Sequence, residues 1–172
     1  MQRSSLHEKL TDCLEQILTV PWIALHPKGG VFLAREHDRV LELFVHKDLP
    51  AELQSMCAEV AYGHCLCGRA AQERRMVFAG QVDHRHENRY PEMAPHGHYV
   101  APMLSGDRLL GVIVLYLDEA HAASEEEQAF LTAAANTLAG ILERSRAEDA
   151  LRSSEQRLRT IVEFEANGIL VL

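Results

Sequence analysis

Apolar positions recur along this chain with two different periods, and the switches between them mark out its elements. From residue 4 or 5 to residue 19, Leu6, Leu10, Cys13, Leu14, Ile17 and Leu18 fall at three- and four-residue steps, the single stripe of an amphipathic helix. Val20-Pro21-Trp22 ends it, because the residue before a proline is driven out of the helical region. Short strands are predicted over 22–26 leading into 31–35, and over 40–45, with turns at Pro27-Lys28-Gly29-Gly30 and His37-Asp38-Arg39. Residues 50–59 read as a short helix with Leu53, Met56 and Cys57 inward, 68–74 as another, and 76–79 as a strand. Residues 81–97 carry no period, and so long an irregular stretch in a compact domain is usually functional or disordered. Residues 98–104 and 109–117 form a strand pair across Ser105-Gly106-Asp107-Arg108, the apolar run 109–115 suiting a central, buried strand.

Ser124 before Glu125-Glu126-Glu127 is a helix start, a hydroxyl cap with acidic residues in the first turn. No breaker follows through residue 165. Phe130, Leu131, Ala134, Leu138, Ile141 and Leu142 make a broad apolar face, after which only Leu151, Leu158 and Ile161 remain as a narrow stripe. The steps 131–138 and 151–158 are each seven residues but out of register by one, the pattern of a coiled-coil-like exit helix with one phase shift. A narrow stripe on a polar helix wants a partner, most simply a second copy, so a homodimer through the N- and C-terminal helices is expected.

Composition narrows the classes. The 172 residues are 47% hydrophobic and 24% charged, the profile of a globular protein with one well-buried core plus an extension. A formal charge of −8 with no basic cluster argues against nucleic acid as partner. The longest apolar runs are too short to cross a bilayer, and residues 1–5 lack the apolar core of a signal peptide. Cysteines at 13, 57, 65 and 67 do not form a secreted disulfide framework, so a cytoplasmic protein with free or ligand-bound thiols is expected.

The chemistry concentrates between Tyr62 and Tyr99, in Gly63-His64-Cys65-Leu66-Cys67-Gly68-Arg69 and in the stretch from His84 to His98. Imidazole and thiolate are ligands for transition metals and also acid–base or redox groups. On an extended segment Cys65 and Cys67 point the same way, as do the pairs His84-x-His86 and His96-x-His98. His64 does not share that direction. Those six side chains are candidate ligands for zinc, iron or copper, or for a haem. Plainer readings stand beside these: Cys65 and Cys67 as small core hydrophobes, and Arg85, Glu87 and Arg89 as a charged loop face. Cys13 and Cys57 are read as core residues, and His26, His37 and His46 as solvated. Arg69, at a helix start, is a candidate anion contact requiring no metal.

The order of elements resembles a GAF domain. The pieces that carry the likeness are Val100-Ala101-Pro102-Met103-Leu104-Ser105-Gly106-Asp107-Arg108-Leu109-Leu110-Gly111-Val112-Ile113-Val114-Leu115, then Gly68-Arg69-Ala70-Ala71-Gln72 as the family's Gly-x-x-Ala helix start, and Asp118 followed by Ser124-x-Glu126-Glu127-x-x-x-Phe130-Leu131. The resemblance covers roughly residues 5–145. It implies an α+β fold, a central antiparallel sheet with helices packed on it plus a long C-terminal signalling helix. It places Cys65, Cys67, His84, His86, His96 and His98 around one ligand pocket, to which Arg69 and Tyr99 are added as further candidate ligand contacts. Residues 155–172 are similar to the opening of a PAS domain. The expected organisation is therefore an N-terminal helix over 1–20, a sensory domain over 21–145, a linker helix over 146–163 and a truncated PAS-like start over 164–172.

The implied function is a signal-input domain that binds a small ligand or a metal or redox centre. Its output would be a histidine kinase or diguanylate cyclase reached through the PAS domain, with no enzyme activity in this chain itself. Two alternatives stand beside it. Free methionine-(R)-sulfoxide reductases are GAF-like enzymes whose Val-Cys-Gly-x-Ala segment resembles Leu66-Cys67-Gly68-Arg69-Ala70, but the loop over 84–99 lacks the nucleophilic cysteine that their chemistry needs. A ligand-free dimerisation scaffold is the other.

Overall fold

A computed structural model describes residues 2–23 and 25–168. The chain divides into two units, residues 1–140 and 141–172. The first is built on a six-stranded sheet in the order β3-β2-β1-β6-β5-β4, its paired strands all antiparallel. Helix α1 (Gln2–Leu18) leads into β1 (Leu25–Arg35) and β2 (Val40–Lys47); α2 (Ala51–Met56), β3 (Glu59–Ala61), α3 (Cys65–Glu73) and β4 (Val77–Ala79) follow. After the irregular residues 80–96 come β5 (Gly97–Ser105), β6 (Arg108–Leu117) and α4 (Glu125–Gly168).

Both faces of the sheet are covered. The α1 stripe is buried through Leu10, Leu14 and Ile17 and packs on β1 and β2, on the side of Leu115. Leu131, Ala135 and Leu138 of α4 are buried as well, and the Phe130 ring meets Trp22 at 5.3 Å. On the opposite face Leu53 of α2 and Leu66, Ala70 and Ala71 of α3 join Phe32, Val100, Val112, Val114 and Tyr116 in one apolar cluster. Alternation along β5 and β6 sends neighbouring residues to opposite cores. That is why β6 is buried at every position after Arg108.

Three local readings change. The Pro27-Lys28-Gly29-Gly30 segment is no turn: β1 runs through it with a register shift between Leu25 and Gly29. Its glycine serves close approach, since a Cβ on Gly29 would lie 2.8 Å from the Val114 carbonyl oxygen. The predicted helix over 50–59 stops at Met56, and Glu59 to Ala61 become edge strand β3 beside β2. Helix α3 begins at Cys65, three residues before Gly68, so Cys65-x-Cys67 is not an extended pair. The Ser124 cap stands as read: its Oγ accepts the Glu127 N–H at 3.1 Å. In the second unit, residues 155–168 of the PAS-like segment belong to α4, and its remainder over 169–172 lies outside the described residues. Among the described residues no helix is long and apolar enough to cross a membrane.

Candidate functional site

The β5 strand starts one residue after His96, and Gly97 has no room for a side chain, because a Cβ there would lie 2.8 Å from the Ala79 carbonyl oxygen. The extended backbone then puts His96 and His98 on the same side of the sheet. His86 comes from the irregular stretch before them, and that stretch is held by its own charges. Asp83 accepts the Arg85 backbone N–H at 2.8 Å and its guanidinium at 2.9 and 2.6 Å, while Arg85 also donates to the Phe78 carbonyl at 3.1 Å. Arg89 donates to the Asp83 and His86 carbonyls. Arg85 and Arg89, read from sequence as part of a charged loop face, form with Asp83 the frame that turns His86 inward.

The three imidazoles stack together in a buried nest. The His86 and His98 rings are parallel within 29° at 4.7 Å, and His96 meets His98 edge-on at 4.6 Å. All three are about 5% exposed or less. His96 Nδ1 lies 2.6 Å from the Ala94 carbonyl, which can only accept, so that nitrogen carries the proton and Nε2 keeps its lone pair. That lone pair faces His98 Nε2 at 2.9 Å. Burial lowers the pKa of His86 to about 4, with His96 adding to the effect and Asp83 opposing it. Burial likewise lowers His96, and sends His98 well below the usual imidazole range. Three neutral rings converge at neutral pH.

Next to them lies a cavity of about 40 Å³ lined by His86, His96 and His98 together with Cys57, Cys65 and Cys67. Phe32, Leu66, Val114 and Tyr116 close its apolar side. Residues two apart on a helix diverge, yet both Cys65 and Cys67 reach the cavity. Cys65 has φ +53°, so it enters α3 from a left-handed conformation rather than a helical one. Burial pushes the Cys67 thiol well above its usual range and raises Cys57, the latter opposed by a hydrogen bond from Asn88. These are thiols, not thiolates.

Of the eight sequence-predicted site residues, five line this cavity: Cys65, Cys67, His86, His96 and His98. His84 is exposed. Arg69 is engaged with Glu87, its Nη2 donating to Oε1 at 3.0 Å, and Glu87 also accepts the Cys65 backbone N–H. That carboxylate occupies the place where an anion would sit at the start of α3. Tyr99 faces the other side of the sheet, where its hydroxyl donates to Glu127 at 2.7 Å. One strand residue on each side is buried because two cores exist, a situation that alternation alone does not reveal.

Sequence reasoning missed Cys57, Asn88 and Tyr116. Cys57 packs against the apolar cluster, as expected of a core thiol, but it also lines the cavity and accepts the Asn88 amide at 3.3 Å. Asn88 in turn accepts His64 Nε2–H at 2.9 Å. A helix-ending cysteine and a loop asparagine carry no local signal of such a meeting.

Comparison with known proteins agrees with this architecture. The structure is similar to a type II free methionine-R-sulfoxide reductase from Thermoplasma acidophilum, with TM-score 0.68 and 16% identity over 84% of this chain and 96% of that one. It is equally similar to the GAF domain of an Acinetobacter phosphoenolpyruvate-protein phosphotransferase, with TM-score 0.68 and 18% identity over 84% and 86% of the two chains. A domain of a putative two-component sensor histidine kinase from Sinorhizobium meliloti 1021 aligns with TM-score 0.62 and 19% identity over 84% and 95%. No curated protein matches. At these identities the likenesses establish the fold and leave the chemistry to the residues. A GAF domain family model matches residues 4–143, and with the six-stranded antiparallel sheet and its two helical layers this shows that the chain belongs to the GAF domain family.

Proposed function

We propose that this chain is a signal-input domain whose occupant sits in the thiol- and imidazole-lined cavity, and whose state is passed on through α4. The observation that carries the reading is the convergence of three cysteines and three histidines from the C-terminal end of α2, from α3, from β5 and from the loop before it on one small cavity. Strand β5 supplies a route outward. His98 faces the cavity, and its neighbour Tyr99 turns to the other face and bonds Glu127 in the first turn of α4. An occupant with different affinity for two poses of β5 would bias that turn. The PAS-like segment supports an output through a PAS domain to a kinase or cyclase, and the absence of basic clusters fits a partner that is not nucleic acid.

Native mass spectrometry of protein purified with and without air tests this reading. The folded protein is expected to carry a mass excess that vanishes on denaturation and is lost when the cavity is filled by Leu66→Trp. A bare polypeptide mass in both preparations would overturn it and favour the scaffold alternative. Likeness to the methionine sulfoxide reductases, and the three cavity thiols, favour a second reading as a thiol enzyme. A cavity of about 40 Å³ is far below the roughly 300 Å³ at which small-molecule sites begin, so no turnover of free methionine-R-sulfoxide with dithiothreitol is expected. Measurable turnover would move the chain to the enzymes.

In the second unit Leu151, Leu158, Ile161 and Val162 are each more than half exposed on a helix otherwise polar. We infer a homodimer in which this stripe is covered by its copy. Sedimentation velocity is expected to give a concentration-dependent dimer, and Leu151→Asp with Leu158→Asp is expected to raise the dissociation constant at least tenfold. A monomer across the range would exclude it.

A further inference from the structure

We propose that His86, His96 and His98 form a three-imidazole site for a transition-metal dication of the zinc, iron or copper type, with one coordination position left for a small exogenous ligand in the adjoining cavity. This deepens the pocket reading above and rests on it. Among the described residues these three are drawn together so that one ligand nitrogen from each lies within 4.8 Å of the others. Two nitrogens bound to one ion at about 2.0–2.1 Å sit about 3.3 Å apart at a tetrahedral angle. The existing 2.9 Å between His96 Nε2 and His98 Nε2 is already near that, and a modest inward rotation of His86 completes the set.

Three further observations point at an ion rather than at a packed core. Both ring nitrogens of His86 are buried without a hydrogen-bond partner among the described residues. Each such orphan costs about 1–3 kcal/mol, so a core that needed only volume would carry leucine or phenylalanine there. One outer partner of a metal-bound histidine is in place and a second lies nearby. Ala94 holds His96 through Nδ1, and the Asp83 carboxylate lies 4.0 Å from His86 Nδ1, close enough to close into a carboxylate–histidine–metal relay. Imidazole without carboxylate in the first sphere suits zinc, copper, iron and nickel and not calcium or magnesium. The cavity beside the trio has room for an ion and one or two water-sized groups, and not for a porphyrin.

The thiols define what the site would do beyond holding an ion. Cys57, Cys65 and Cys67 line the same cavity as the three rings, so an exogenous ligand on the open position would be bounded by sulfur and by the Tyr116 ring. A diatomic gas or a single small anion fits that space; a nucleotide does not. The ion is therefore the receptor for a ligand of a few atoms, and the thiols are its walls.

The test uses the whole chain stripped with a chelator and titrated with Co(II) alone, then with Zn(II) in competition. One equivalent is expected to bind and to give the intense visible absorption of four-coordinate cobalt, lost on adding zinc. His86→Ala and His98→Asn are each expected to weaken Co(II) at least 100-fold, Asp83→Asn about tenfold, and His84→Ala less than threefold. Cys67→Ser is expected to retain one equivalent, with the visible bands shifted by nitric oxide or azide. His86 stands in a loop, so its variant keeps the proposal testable should His98→Asn fail to fold. No saturable binding by the folded wild-type protein, or binding undisturbed by His86→Ala, would overturn the proposal. If native mass spectrometry shows an organic occupant while Co(II) does not bind, the pocket reading stands and the metal site falls.

Discussion

Gly68→Ala is expected to destabilise the domain by about 3 kcal/mol, at the upper end of what overpacking costs, and to lower Tm by roughly 10 °C. A Cβ on Gly68 would lie well inside contact distance of the Ala61 carbonyl oxygen and 3.1 Å from the Gly63 nitrogen. Both obstacles are backbone, so no side chain can swing away. The crossing is also where the chain closes on itself: Gly63 N–H bonds the Gly68 carbonyl at 2.7 Å, and Gly68 N–H bonds the His64 carbonyl at 3.0 Å. Relieving the clash means lifting α3 off β3, which carries Cys65 and Cys67 away from the cavity. Loss of thiol shielding should accompany loss of stability, read as faster labelling of Cys67 by a thiol reagent below Tm. Gly140→Ala is the contrasting case, since a Cβ there meets nothing within 4 Å, and it is expected to gain up to about 1 kcal/mol in helix propensity. Equal thermal midpoints for Gly68→Ala and wild type would show that this crossing does not set the cavity.

That glycine illustrates how far the sequence could be read. Gly68 stands out in the motif, but as the opening of a helix; its real task, a close approach three residues inside α3, depends on where β3 lies. β3 itself is three residues long, too short for any period to register. Elements set by local rules were legible: the α1 stripe, the β5–β6 pair across its two-residue turn, and the Ser124 cap. So was the shared direction of His96 and His98, which needs only an extended backbone. Gly29-Gly30 misled because glycine marks both turns and crowded strands, and only the partner strand tells which. His84-x-His86 failed as a pair because the Asp83, Arg85 and Arg89 bonds bend that stretch, sending His86 inward while His84 stays in solvent. Cys57 meets the site through a fold-back of some thirty residues to Asn88, a distance across which no spacing rule operates.

Glu127→Ala is expected to cost about 3 kcal/mol, the range for removing one partner from a buried charged network. Glu127 is 6% exposed and accepts two hydrogen bonds through one oxygen, from Tyr99 at 2.7 Å and from His121 at 2.8 Å. Burial alone would raise its pKa, but those bonds outweigh it and hold the carboxyl below its ordinary 4.5. A depressed folded pKa means stability that is present above the unfolded value of about 4.5 and is lost as pH falls through the lower folded value. The gap between wild type and Glu127→Ala should therefore narrow as pH falls below 4.5, as read by urea denaturation at each pH. A gap that does not change with pH would show that packing, not charge, carries the contribution. The Tyr99–Glu127 bond also lies on the proposed route out of the cavity. Tyr99 is next to His98 on β5, and Glu127 lies in the first turn of α4, so this hydrogen bond joins the strand that faces the cavity to the helix that leaves the domain. Tyr99→Phe keeps the ring packed on Phe78 at 4.8 Å while removing the bond. Hydrogen exchange in the first turn of α4 should respond to the occupied cavity in wild type and not in Tyr99→Phe. An undiminished response in that variant would mean that the signal leaves the sheet elsewhere.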